Sequence, residues 1–460
     1  MNEHIQLSRW CHSFDRYGVT AFFNAVTLGL VFIPEDIARS LVQLINERHT
    51  MNIIENVVGV DVFNALNEEG ILVIDDGVDV ANFEETRRKL LQNVTLEIMY
   101  LIVTDRCNLR CKYCFEETPL RVGPFRPTDM SIKIAKASLD FFAKMAARYG
   151  NQEKEKVVHL YGGEPLMNQK VVRFSIEYIQ TLKKRGILPS TCKTAIVTNG
   201  VFISDDIAEF FAENGTTIGI SIDGPQEINN RYRRSRDGGL NVFSVAMNAL
   251  ELLKKHRVKI GLSVTLTPEA VRQPERLIAF IIDQSRQIDG ISLTPMYFNR
   301  LVPLPSDYYV RAAECQIAAF EKFREIGVYE DRVMRKGKAF IGKQPMYADC
   351  GIVGNQLVIA PDGQVGICQE FVKPRTYFRG SVLNSKFDPI AEGLFNDWKM
   401  RSPFFMESCF RCPAIGICGG GCPVSAELKT GNRWNLDEFA CVHSKSILEW
   451  MIWDTYAQIT

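Results

Sequence analysis

The chain has 460 residues, with 54 basic and 54 acidic side chains and a formal net charge of zero. Its length suits about two to four domains, and 46% apolar with 23% charged residues is an ordinary globular composition. The balanced charge argues against an electrostatically held nucleic-acid or membrane-surface partner, and no apolar run approaches the roughly 18 residues that span a bilayer. The start, Met1-Asn2-Glu3-His4, lacks the basic and then apolar pattern of an export signal, so a cytoplasmic location is expected.

Residues 1–92 read as a separate α+β module. Phe14–Leu30 is extended in character, and Pro34-Glu35-Asp36 opens a helix with Ile37, Leu41, Leu44 and Ile45 at helical spacing. Val57–Asn67 reads as a second helix and Ile71–Ile74 as a strand. Strands, then helices, then a strand suggest a winged-helix-like module; a plain N-terminal cap on the next domain is the competing reading. From residue 97 the strands Glu97–Thr104, Lys156–Tyr161, Thr194–Thr198, Thr217–Ile222, Val258–Leu266 and Ile291–Pro295 alternate with helical stretches near 130–149, 169–185, 204–214, 240–256 and 274–287. Apolar runs such as Ile218-Gly219-Ile220-Ser221-Ile222 suit strands covered on both faces. The fold class is therefore α/β, a partial (β/α)6 TIM-like barrel over 93–300. Asp307–Glu325 is a helix in a connecting segment, 301–349. The last region, 350–460, is loop-rich to about 442, with Gly419-Gly420-Gly421 among its cysteines, and is expected to fold around metal rather than a core of its own.

Cysteine is the unusual residue: of 13 in the chain, three fall within 107–114 and seven within 350–441. In a long chain with no export signal, such clusters are metal ligands more often than disulfides. Cys107, Cys111 and Cys114 form a C-x3-C-x2-C run just after the first barrel strand. Three close thiols under-fill a zinc site, whereas a [4Fe–4S] cluster held by three thiolates keeps one iron free for another ligand. A parallel barrel places its chemistry at the C-terminal ends of its strands. Here those ends carry Gly162-Gly163-Glu164-Pro165, Asn199-Gly200, and Ser221 with Asp223-Gly224-Pro225. Singly each is an ordinary turn; on one rim with the cysteine loop they describe a binding site. The second constellation is Cys350 and Cys368, then Cys409-x2-Cys412-x5-Cys418-x3-Cys422, then Cys441, for which a pair of zinc knuckles is the structural alternative.

On these motifs the chain resembles, over about residues 95–442, the radical S-adenosylmethionine enzymes that modify peptides and carry a C-terminal SPASM domain. The resemblance implies S-adenosylmethionine and three [4Fe–4S] clusters as cofactors. Cys107, Cys111 and Cys114 would hold the cluster whose open iron chelates S-adenosylmethionine. Tyr113 would lie beside the adenine, Gly162, Gly163 and Glu164 at the methionyl amine, and Ser221 and Arg233 at the ribose and carboxylate. Cys409, Cys412, Cys418 and Cys441 would hold one auxiliary cluster, and Cys350, Cys368 and Cys422 a second. That second set lacks an obvious fourth ligand, since Tyr347, Ala348 and Asp349 offer no thiol. An open iron is expected there, with Cys315 as the competitor. Cys11 and Cys192 match no ligand pattern and read as buried thiols. The six histidines form no ligand or catalytic pattern, and no catalytic acid or base is assigned.

In that family, reductive cleavage of S-adenosylmethionine gives a 5′-deoxyadenosyl radical that abstracts hydrogen from substrate, and two auxiliary clusters suit net oxidation. Sulfatase maturases of the family carry an Asp base after the second SPASM cysteine, where this chain has Gln369 followed by Glu370. They also lack a module like 1–92. That module resembles the precursor-recognition elements of peptide maturases, which add a leader peptide as a strand to a sheet edge. The expected substrate is a ribosomally synthesised precursor peptide, and the expected reductant a flavodoxin or ferredoxin. The expected reaction is an oxidative cross-link: a cysteine sulfur-to-carbon thioether first, a carbon–carbon link next, formylglycine formation last. A zinc-binding interaction protein is the non-enzymatic alternative.

Overall fold

The structure is a computed structural model that describes residues 5–115, 128–296 and 302–460. The N-terminal region contains β1 (Gln6–Leu7), β2 (Cys11–Arg16), β3 (Val19–Asn24), β4 (Leu30–Pro34), α1 (Glu35–Asn46), α2 (Met51–Val58), α3 (Val60–Glu68), β5 (Leu72–Val73) and α4 (Asp76–Gln92). The extended stretch is three antiparallel strands in the order β2-β3-β4. Tyr17 and Gly18, both at positive φ (58° and 73°), make the two-residue turn between β2 and β3 that matches strand twist. The second predicted helix is α3, which starts after Gly59 at φ 89°; the helix before that glycine, α2, is one the sequence reading leaves out. The apolar period reads straight through that glycine because Gly inside a helix costs only about 1 kcal/mol. Helix α4 had no periodic signal: it buries little beyond Phe83 and leans on its Asp75 cap, which accepts from the Val78 N–H, and on pairs such as Glu85–Arg88.

The barrel contains β6 (Ile98–Thr104), α5 (Ile132–Tyr149), β7 (Val157–Gly162), α6 (Gln169–Lys184), β8 (Lys193–Thr198), α7 (Asp205–Glu213), β9 (Thr217–Ser221), α8 (Gln226–Tyr232), α9 (Val242–Lys255), β10 (Lys259–Leu266), α10 (Pro268–Arg272), α11 (Pro274–Gln284) and β11 (Gly290–Pro295). Its six strands are parallel neighbours, as the alternation predicts. Ile196, Ile218, Ile220, Ile260 and Leu262 point outward and are buried. The alternate residues, Gly219, Ser221, Gly261, Ser263 and Thr265 among them, are small or hydroxylic and only half-buried. A period of two thus separates a packed outer face from an open lumen.

The C-terminal region contains α12 (Tyr308–Glu325), α13 (Asp331–Ile341), β12 (Gln356–Ile359), β13 (Gln364–Gly366), β14 (Arg379–Ser381), α14 (Ile415–Cys418), α15 (Pro423–Thr430) and α16 (Glu438–Ile459). It is not a metal-nucleated coil set apart from the barrel. Strand β12 pairs in parallel with β6, Ile98–Leu101 against Gln356–Ile359, and the sheet runs to nine strands, β11-β10-β9-β8-β7-β6-β12-β13-β14. The region also has a core, which it shares with the N-terminal sheet. Trp10, Phe23, Ala25 and Leu28 pack with Phe340, Ile415, Ile417, Ile447 and Trp453, and the rings of Phe23 and Phe340 lie 5.8 Å apart. The other face of β2–β4 packs on α1–α3 through Phe22, Val31, Ile33, Leu41, Ile54 and Leu66. No helix among the described residues is long and apolar enough to cross a membrane.

Because Phe23 is fully buried between two regions, Phe23→Ala should cost about 3–5 kcal/mol and lower the midpoint of thermal unfolding. An unchanged midpoint in calorimetry would show that these two regions do not share a core.

Candidate active site

Beyond β6 the chain turns back on itself at the barrel rim. The Arg110 N–H donates to the Arg234 carbonyl (2.7 Å), the Lys112 N–H to the Tyr232 carbonyl (2.9 Å), and the Cys114 N–H to the Cys111 carbonyl (3.1 Å). The loop of Cys107, Cys111 and Cys114 is thereby laid against the segment after α8. On its other side lie Gly162 and Gly163. The Gly163 N–H donates to the Thr104 carbonyl (3.1 Å) and the Glu164 N–H to the Arg106 carbonyl (2.8 Å). A Cβ on Gly163 would stand 2.4 Å from the Arg106 oxygen, so this close approach requires glycine there.

Glu164 is 1% exposed. It accepts from the Leu166 N–H (3.0 Å), the Thr198 hydroxyl (2.8 Å) and the Asn199 N–H (2.8 Å), and burial pushes its carboxyl upward. Arg233 donates to the Tyr113 hydroxyl (2.7 Å), which donates to Asp223 (2.5 Å); Arg233 and Asp223 are buried and Tyr113 is half-buried. Arg233 Nε has no hydrogen-bond partner there, which leaves it a donor for a bound anion.

A cavity of about 330 Å³ joins these groups. Cys107, Cys111, Cys114, Tyr113, Gly162, Gly163, Glu164, Ser221 and Arg233 all line it, so the sequence-derived residues of the first site converge. It also reaches Arg332, Gln369 and Glu370, which follow Cys368 or face it from α13. Sequence reasoning placed Asn199 and Asp223 on the rim without a role for either side chain, and did not assign Arg332 to the site. Asp223 and Asn199 were legible only as turn residues, and nothing in the chain's pattern links α13 to the barrel mouth.

The auxiliary thiols form two sets. Burial, then Cys418, Cys409 and Cys412, push Cys441 up to about 12. Burial, Glu370, Cys350 and Cys422 raise Cys368 well above the ordinary thiol range. Cys315, raised to about 12 by burial and Glu275, lies on α12 in the main core, with none of these thiols acting on it. Cys192 is buried, and Cys11 is half-buried on β2. Cys107 is likewise pushed up to about 12, chiefly by burial, so metal binding at these soft donors must displace protons. Among the described residues no three His, Cys, Asp or Glu side chains gather closely enough for a single ion. Three- and four-thiol sets of this kind fit an iron–sulfur group, whose donors are held apart by its core.

The topology fixes where the sets lie. Cys107 follows the C-terminal end of β6. Cys350 leads into β12, whose preceding residue Asn355 accepts from Ile98, and Cys368 follows β13, which returns antiparallel with Val358 opposite Gly366. Cys350 and Cys368 therefore sit towards the N-terminal edge of β6, about 20 Å away at roughly 3.3 Å per residue. Tyr100 stands between, pushed up to about 12 by burial and by Cys350 and Cys368, its ring edge-on to Tyr161 at 5.8 Å.

Residues 101–281 match the family description "Radical SAM superfamily". That segment is a radical SAM domain, and the protein is a radical SAM enzyme. Over 458 residues it is 23% identical to a radical SAM cyclopropyl synthase of Paramaledivibacter caminithermalis, covering 94% of this chain and 92% of that protein. It is 24% identical to a cysteine-type anaerobic sulfatase-maturating enzyme of Clostridium perfringens, covering 77% and 96%. Among solved structures, Streptococcus suis SuiB bound to S-adenosylmethionine superposes with a TM-score of 0.55 at 15% identity, over 95% of this chain and 99% of that one. At these identities the structural likeness concerns the fold of this radical SAM enzyme.

Gly163→Ala should disrupt the cysteine loop without unfolding the barrel, since the added carbon meets the Arg106 carbonyl and the Cys107 Cβ of that loop. The variant is expected to keep its circular dichroism spectrum and lose about four irons per chain, one cluster's worth. Full iron content would contradict the close approach.

Proposed function

We propose that this radical SAM enzyme oxidatively cross-links a ribosomally synthesised precursor peptide, joining a cysteine sulfur to carbon, with three [4Fe–4S] clusters and S-adenosylmethionine as cofactors. The observation that carries the proposal is the single cavity that runs from Cys107, Cys111 and Cys114 to Gln369 and Glu370, beside the thiols of Cys350, Cys368 and Cys422. When bound, the first cluster and S-adenosylmethionine supply a hydrogen-abstracting radical at the upper end of that cavity. Arg233 and Glu164 would hold the cofactor's charged ends, and the glycines and hydroxyls of the lumen give a peptide backbone room and partners. At the lower end a set of only three thiols leaves a place for a substrate sulfur, with Cys315 elsewhere. The resulting net oxidation suits an electron passing into the auxiliary clusters and returning to a flavodoxin- or ferredoxin-type partner.

Residues 1–92 would bind the leader, as a strand added beside the outer strands β2 or β4 of their sheet. The full-length match to SuiB, which has also been solved bound to its precursor peptide SuiA, supports a peptide substrate. Formylglycine formation fits less well: the sulfatase-maturating relative aligns with 77% of this chain, and the neutral amide of Gln369 cannot serve as a base. Carbon–carbon coupling is the second reading. It is favoured by the cyclopropyl synthase that aligns with 94% of the chain.

With a short precursor encoded beside this gene, S-adenosylmethionine and a reductant, the product should be two hydrogens lighter. Changing the substrate cysteine to serine should abolish the cross-link while 5′-deoxyadenosine still forms. A dehydrogenated product from the serine peptide would move the assignment to carbon–carbon coupling. In the enzyme, Cys107→Ala should leave the chain folded and abolish 5′-deoxyadenosine formation; retained formation would refute the role of this loop.

A further inference from the structure

Two cations are buried beside the C-terminal thiols, and the carboxylates within reach of them are shared with other groups. Lys336 on α13 is 3% exposed and Arg401 is 2% exposed. Lys336 Nζ donates to the carbonyls of Ile417 and Cys418, each at 3.2 Å. Arg401 donates to the carbonyls of Arg433 (2.8 Å), Asn435 (2.9 Å) and Gly420 (3.1 Å), and to the Met406 sulfur. Among the described residues neither makes an ion pair. The carboxylates within reach are shared: Asp349 is acted on by Lys336, by Arg335 (3.0 Å) and by Arg332 (3.9 Å), and Asp437, which acts on Arg401, also accepts from the Cys422 N–H (2.9 Å) and the Ser425 hydroxyl (3.1 Å). His443, in the same seam, is held neutral by burial and by Lys336.

A buried cation that only carbonyls solvate costs several kcal/mol unless anionic charge stands close by. Beyond those shared carboxylates, the groups that flank these two cations are cysteines. After Asp437, Arg401 lies within electrostatic reach of Cys409 and Cys418 of one set and of Cys422 of the other. Lys336 holds the backbone of Cys418 and borders a cavity of about 40 Å³ shared with Cys422 and Asp349, the neighbour of Cys350. Thiols are neutral and cannot balance a cation; thiolates bound to iron can.

We propose that Lys336 and Arg401 are positioning residues that act as the counter-charges of the two auxiliary clusters and set their reduction potentials. The proposal rests on the reading that both thiol sets hold clusters. Reduction adds one negative charge to a cluster, so a fixed cation in a water-poor seam favours the reduced form and raises the potential. Placed between the two sets, this pair makes both clusters better electron acceptors than their thiolates alone would allow. The competing role is structural: Lys336 could merely cap the last carbonyls of α14.

The test is an EPR-monitored redox titration of anaerobically purified holoenzyme. Lys336→Met, which keeps the volume and removes the charge, should retain about twelve irons per chain and shift the cluster of Cys409, Cys412, Cys418 and Cys441 to a more negative potential. Lys336→Arg should restore the wild-type value. Arg401→Gln, compared with Arg401→Lys, should move both auxiliary clusters the same way. Iron lost from Lys336→Met but kept by Lys336→Arg would support the same charge pairing through cluster retention. Unchanged potentials in the fully loaded Lys336→Met and Arg401→Gln variants would overturn the proposal and leave the helix cap. About four irons in the wild-type protein would instead overturn the two-cluster reading itself.

Discussion

Everything in the site depends on the backbone pairing of β12 with β6. Strand β6 already ends in the Cys107 loop, and its hydrogen bonds to β12 carry the C-terminal cysteines onto the same strand at its other end. A sheet ladder admits only registers two residues apart without turning its side chains over, so this pairing fixes the separation of the two ends to a strand's length. The lumen between them is the open space that the cavity occupies. Its openness follows from Gly219 and Gly261 facing inward, where larger side chains would fill it.

Burial keeps these thiols protonated, so each would become a ligand only by giving up a proton to a bound metal. Burial pushes Cys107, Cys315 and Cys441 all to about 12, yet only Cys107 and Cys441 stand in sets of converging thiols. Deprotonating such groups in a buried site needs compensating positive charge, from iron first and from the buried cations around it second. At the rim Arg233, Tyr113 and Asp223 share one hydrogen-bonded network, and the buried Arg233 Nε has no hydrogen-bond partner.

The barrel was legible in the chain because its strands are apolar runs and its helices amphipathic, each a local pattern. The convergence of Cys107, Cys111 and Cys114 with Gly162–Glu164, Ser221 and Arg233 was legible because strand ends share a rim whatever the sequence between them. Other features are long-range and leave no local mark. Strand β12 is four residues, Gln356–Ile359, and reads like any short apolar run. The partnership of Phe23 with Phe340 joins residues more than three hundred positions apart. Helix α13 shows two faces only once folded: Val333 and Phe340 reach the shared core, while Arg332 and Lys336 reach the cavity beside Cys422. Asp223 looked like a turn residue because it is one, and its buried bond to Tyr113 is visible only in three dimensions.

The central claim is that one cluster binds S-adenosylmethionine while two others lie apart from it along the same lumen. Electron paramagnetic resonance of the dithionite-reduced holoenzyme, recorded before and after adding S-adenosylmethionine, tests it most directly. Three [4Fe–4S] signals are predicted, of which S-adenosylmethionine shifts one and leaves two unchanged; a spectrum with a single cluster signal, or with none that responds to S-adenosylmethionine, would contradict it.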